Sequence, residues 1–107
     1  MDKAQIDKAR ALQYAFAVAA RNGQADVVVP LLQAGVDIHA GEDLALRGAA
    51  EFGQTEMVRF LLEHGADLHA KNDQALLLAD ARGHKATAAL IMQWMKKSAP
   101  GPWSSGP

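Results

Sequence analysis

Gly53-Gln54-Thr55-Glu56-Met57-Val58-Arg59-Phe60-Leu61-Leu62-Glu63-His64-Gly65-Ala66-Asp67-Leu68-His69-Ala70 decides the reading of this chain, because the same pattern stands thirty residues earlier. Gly23, Gln24, Leu31, Leu32, Gly35, Asp37, His39 and Ala40 repeat as Gly53, Gln54, Leu61, Leu62, Gly65, Asp67, His69 and Ala70. Laid over one another, residues 12–41 and 42–71 agree at 12 of 30 positions, too many in one register for chance. A third copy starts at Asn72 and keeps Asp73, Ala75, Leu76, Ala79 and Gly83 before it drifts. Within the quoted stretch, Met57, Val58, Leu61 and Leu62 recur at i, i+1, i+4 and i+5, the broad apolar face of a helix that Gly65 ends. Glu56 falls in its first turn, where the helix dipole favours a carboxylate.

Working outward, each copy reads as two short helices. Asp43 is expected to cap the first helix of the middle copy by accepting free N–H groups of the first turn. Leu46, Ala49 and Ala50 then share one face, and Gly53 stops the helix. Residues 66–73 are too short for an element of their own and read as a loop. In the first copy the opening helix is longer, with Asp2 as cap and a stripe of Ile6, Ala9, Leu12 (or Gln13), Phe16 and Ala20. Pro30 lies inside the second helix, which is expected to continue with a bend. Residues 98–107 hold three prolines, two glycines and three serines and read as a disordered tail. The domain is therefore placed at 1–97, with copies at about 1–41, 42–71 and 72–97.

Composition agrees with helices. Alanine supplies 22 of 107 residues and leucine 12, against 11 for Val, Ile and Thr together, which argues against a β-sandwich or barrel. A net charge of -1 does not suit a nucleic-acid-binding surface. The absence of cysteine excludes a disulfide framework, a thiolate nucleophile and a Cys-based zinc site. No apolar run approaches the roughly 20 residues of a membrane span, and the charged start from Met1 does not read as a secretory signal. A soluble cytoplasmic protein is expected.

These three registered copies resemble ankyrin repeats over roughly residues 12–95, most closely in residues 53–70 and 23–40. The period of 30 is shorter than the usual 33. The customary Thr-Pro-Leu-His helix start is replaced by Leu44-Ala45-Leu46-Arg47 and Gln74-Ala75-Leu76-Leu77. The missing residues fall between Ala40 and Asp43, so the β-turn finger is expected to be shortened. Similar short-finger repeats occur in bacterial, phage and giant-virus proteins, and for such an origin the host-cell cytoplasm is the expected location. The resemblance implies an all-α solenoid of three stacked helix pairs with short connecting loops and a long N-terminal helix. It also implies a non-catalytic protein–protein recognition module, a small adaptor or inhibitor with no cofactor. The partner is expected to be a protein, not nucleic acid or membrane.

In that family the binding surface comes from the loop tips and the first helix of each pair. Carried over by position, the candidates are His39 and Glu42 on one tip, and His69, Lys71 and Asn72 on the next. On the first helices they are Val18 and Arg21, then Arg47, Glu51 and Phe52, then Leu78 and Arg82. Phe52 and the arginines carry most weight, since aromatic and Arg side chains dominate interface energetics. The plainer reading is that Phe52 shields a helix end and Arg47 replaces the usual histidine.

Two other chemistries were open to the residues. His39 and His69 occupy equivalent tips, but side chains on helices packed about 8–10 Å apart converge poorly on one ion. In the light of the resemblance they replace the loop asparagine and hydrogen-bond the adjacent turn, and no metal site is expected. The available carboxylates are explained by capping, dipole compensation or solvation, so no catalytic residue is expected. The third copy raises an alternative function: Leu77, Leu90, Trp94 and Met95 leave its outer end apolar, as for a self-associating structural protein that docks through this end into a homo-oligomer.

Overall fold

The computed structural model describes residues 3–98, and these form six helices: α1 (Lys3–Arg21), α2 (Ala25–Gln33), α3 (Ala40–Glu51), α4 (Thr55–Glu63), α5 (Ala70–Ala81) and α6 (Lys85–Ser98). They pair as α1/α2, α3/α4 and α5/α6, and the pairs stack. The long first helices pack side by side in one row, α1 on α3 and α3 on α5, while α4 and α6 lie together in the second row. The cap expected from Asp2 lies outside the described residues, as does the expected tail apart from Ser98, which is the last residue of α6.

Alanine makes the row possible. Ala19, Ala20, Ala45, Ala49, Ala50, Ala75 and Ala79 are all buried between the first helices. Side chains this small let helix axes approach to about the lower end of the usual 8–10 Å. Larger side chains, Phe16, Leu46, Val28, Val58, Leu61 and Ile91, fill the space between the two rows. The ends of the stack show in the same register. Ala20 and Ala50 are buried where another pair follows, and the equivalent Asp80, after which no further pair follows among the described residues, is exposed. A carboxylate at this position gives the third pair a polar residue on its outer face.

The glycines end their helices in one way throughout. After α3, Gly53 (φ 70°) donates to Ala50 O at 3.1 Å and Gln54 N donates to Ala49 O at 2.9 Å, the double bond of a Schellman cap. The same pair of bonds closes α1 at Gly23 and α5 at Gly83. Space confirms the need for glycine at position 53, where a Cβ would stand 2.6 Å from His84 Nδ1. The Gly-His step of the third copy thus seats its imidazole on the end of α3. The α2 helix runs through Pro30 as expected.

The helix starts differ from the sequence reading. Gly41, Glu42 and Asp43 have φ of 64°, 58° and 58°, and Lys71, Asn72 and Asp73 have 54°, 58° and 62°. Each trio is one turn of left-handed helix, and right-handed geometry begins only at Leu44 and Gln74. The shortened finger is this turn. Asp43 therefore does not cap α3: its φ is wrong for an N-cap, and its carboxylate is directed elsewhere. The loop reading of residues 66–73 holds in substance, since the turn interrupts the helix there.

Left-handed geometry costs a non-glycine residue about 1–2 kcal/mol, and Asn and Asp suffer least. Lys71 has no such tolerance. Replacing it with glycine removes that cost and adds roughly 0.5–1 kcal/mol of unfolded-chain entropy. The 3.9 Å contact of Lys71 with Glu42 is exposed on both sides and weighs little. Lys71→Gly is therefore expected to stabilise the fold by about 0.5 kcal/mol, read as a melting temperature higher by roughly 3 °C. A lower melting temperature would contradict the account of the turn.

Candidate functional site

The residues that α1 and α3 leave uncovered form the site. Counting from Tyr14 on α1, positions 14, 17, 18 and 21 share the face opposite the buried stripe of Phe16, Ala19 and Ala20. The equivalent face of α3 carries Leu44, Arg47, Gly48 and Glu51, and Phe52 follows at its end. Gly48 faces the Arg21 side chain across the two helices, and a Cβ at this position would stand 3.4 Å from Arg21 Cβ, in ordinary van der Waals contact. Between them runs a groove of about 330 Å³ lined by Tyr14, Val18, Arg21, Leu44, Glu51 and Phe52 among others. It continues past Tyr14 and Leu44 into a second depression of about 220 Å³ that reaches Arg10 and Gly41.

The groove is apolar and half open to solvent. Tyr14 is 71% exposed, Phe52 48% and Leu44 44%, and Leu77, on the same row, is 59% exposed. The Arg21 guanidinium lies 5.6 Å from the centre of the Phe52 ring, a cation–π distance. At the far side Glu51 Oε2 accepts from Arg82 Nη2 at 2.6 Å, so this carboxylate is already partnered.

Arg47 has a structural task. Its Nη2 donates to Gly41 O at 2.8 Å and its Nε to Glu42 O at 3.0 Å, two carbonyls of the left-handed turn. Its Nη1 donates to Gln74 Oε1 at 2.6 Å on the next pair. One guanidinium thus holds the turn and ties two repeats. In the third copy the equivalent residue is Leu77, so the turn at residues 71–73 has no such clamp.

The turn tips are also internally engaged. Asp43 is buried, with 5% of its side chain exposed. Its Oδ2 accepts the backbone N–H of Asp67 at 2.8 Å, from the loop that leads into the next copy, and lies 3.0 Å from His39 Nδ1. His69 pairs with Asp73 in the same way, and Lys71 reaches Glu42 across the two tips. Asn72 is exposed on the second tip. Among the described residues no three His, Asp or Glu side chains gather as metal ligands do.

The hydrogen bond to Asp43 raises the His39 pKa above its ordinary 6.5, against the opposing effect of burial, and the charges of Asp43, Asp37 and Asp67 add to it. Folding therefore favours protonated His39. Its stabilisation is complete below pH 6.5 and is lost as pH rises through the elevated value. The melting-temperature difference between the protein and His39→Gln is expected to be larger at about pH 6 than at about pH 9. A difference that stays constant or grows with pH would refute this coupling.

The proposed oligomer surface fares differently. Leu90 is 4% exposed and belongs to the core, which removes it from any surface role. It is buried because α6 packs on both α5 and α4. Trp94 and Met95 are partly buried against the same core, in a helix that runs on because no glycine stands where Gly35 and Gly65 end α2 and α4. Lys97 Nζ sits 4.9 Å from the centre of the Trp94 ring. Leu77 is exposed, but on the first-helix row with Tyr14 and Leu44. Leu78 beside it is half-buried.

The structure thus brings Arg21, Glu51 and Phe52 together in one groove, commits Arg47, and adds Tyr14 and Leu44, which the sequence reading had not singled out. A large aromatic residue lying off the buried stripe of α1, in register with Leu44, was the signal for them. A family model for ankyrin repeats, in three copies, matches residues 7–99. No curated protein and no solved structure is a significant match to the chain. With three stacked helix pairs in a thirty-residue register and a family match over most of its length, the chain belongs to the ankyrin repeat family.

Proposed function

We propose that this chain is a non-catalytic recognition module, a small adaptor or inhibitor that holds a protein partner against the first-helix row. Ankyrin repeats are in general protein–protein interaction modules. One observation carries it: four of the six large apolar side chains exposed among the described residues, Tyr14, Leu44, Phe52 and Leu77, lie on this row. Solvent-facing aromatic and leucine side chains add nothing to the packing of the stack, and clustered exposure of this kind marks interaction surfaces. No helix among the described residues is long and apolar enough to cross a membrane. A cytoplasmic site of action fits the reading.

The test removes the anchors without disturbing the fold. Tyr14→Ala with Phe52→Ala is expected to keep the helical circular dichroism and to change the melting temperature little, since both rings are exposed. Affinity capture from the native host, quantified against the unsubstituted chain, is expected to lose its leading partner by more than tenfold, as for truncated hot-spot residues worth about 2 kcal/mol. Retention of the same partner at full yield would overturn the proposal.

A further inference from the structure

We infer that the groove between α1 and α3 takes an amphipathic helix with an acidic margin. This inference rests on the first-helix row being the binding face and adds what must lie in it. Charge supports it. Arg10 and Arg21, at the two ends of the groove, have no ion-pair partner among the described residues. The Arg21 guanidinium lies over the face of Phe52. Arg47 spends its donors on two carbonyls and an amide, which leaves its positive charge uncompensated. The carboxylate in the groove, Glu51, is held by Arg82. The apolar floor therefore sits in a positive local field, on a chain whose net charge is -1.

Geometry supplies the rest. Arg10 and Arg21 are eleven residues apart on one helix, a rise of about 16 Å. Tyr14 and Leu44 stand between them. A groove between two parallel helices accepts the side-chain ridge of a third helix. A matching segment carries apolar residues at i, i+3, i+4 and i+7 and carboxylates at both ends of that stripe, about 16 Å apart. Complementary charge at such margins sets orientation and partner choice.

The test is selection from a phage-displayed library of 18-residue helical peptides with randomised apolar and flanking positions, panned on the full chain. Selected peptides are expected to carry Asp or Glu at both flanks. They are expected to lose at least tenfold in affinity for Arg10→Gln/Arg21→Gln, and again for Tyr14→Ala/Phe52→Ala. Binders that need Tyr14 and Phe52 but carry neutral or basic flanks, and that ignore the arginine substitutions, would overturn the acidic partner and leave the face intact. Binders indifferent to Tyr14 and Phe52, or no binders at all, would overturn both. Circular dichroism on each variant separates lost binding from lost fold.

Discussion

Asp43→Ala is expected to destabilise the protein by about 3 kcal/mol, although it removes a residue whose neighbours on the chain are exposed. Three losses add up. The Asp67 N–H loses its acceptor, so the loop leading into the third copy is no longer tied to the turn at the start of the second. His39 loses the partner that favours its charged form. Alanine also tolerates the left-handed φ of 58° less well than aspartate. Asp43→Asn separates these causes: it tolerates the same backbone and can accept from Asp67 with its amide oxygen, so its cost is expected to be about 1 kcal/mol. Urea unfolding of the three proteins measures the order. If asparagine costs as much as alanine, the link to Asp67 is not what makes the residue important.

Ala49→Leu is the second large expectation. Ala49 is fully buried on α3, the middle helix of the first-helix row, which packs on α1 and on α5. Three added heavy atoms cannot be seated there without spreading the helices, and overpacking of this sort costs about 3 kcal/mol at the upper end of its usual range. A solenoid is held by contacts between neighbours, so a wedge in the middle pair weakens both of its interfaces together. The melting temperature is expected to fall by on the order of 15 °C. The same exchange at exposed Ala15 is expected to change little. Equal effects at the two positions would mean that the alanines do not set the helix spacing.

Much of the fold was legible because its cause is local and periodic. Gly23, Gly53 and Gly83 each end a helix through their own backbone freedom, and a period of thirty exposes that directly. The left-handed turns were not legible, because nothing in Glu42 or Lys71 prefers that geometry. Arg47, from the following helix, stabilises the first turn, and only folding brings it there. Asp43 misled for a related reason. A carboxylate before a helix reads as a cap, but its acceptor capacity is claimed by an N–H 24 residues away. Leu90 read as surface because the greater length of α6, and its contact with two helices, has no marker in the repeat pattern. Phe52 was found from its register and its chemistry. Tyr14 was missed because it precedes the part of the first copy that matches best.

The tie between Asp43 and Asp67 has a further consequence, for how freely each copy can vary. Asp73 repeats Asp43 and holds its own histidine, yet among the described residues no later loop donates to it, and 40% of its side chain faces solvent. In the first copy the equivalent residue is Gln13, which is exposed. Identical letters in a repeat thus carry unequal weight, and the middle copy alone uses every connection that the pattern provides. Random substitution is expected to be tolerated least there, and more freely in the other two copies.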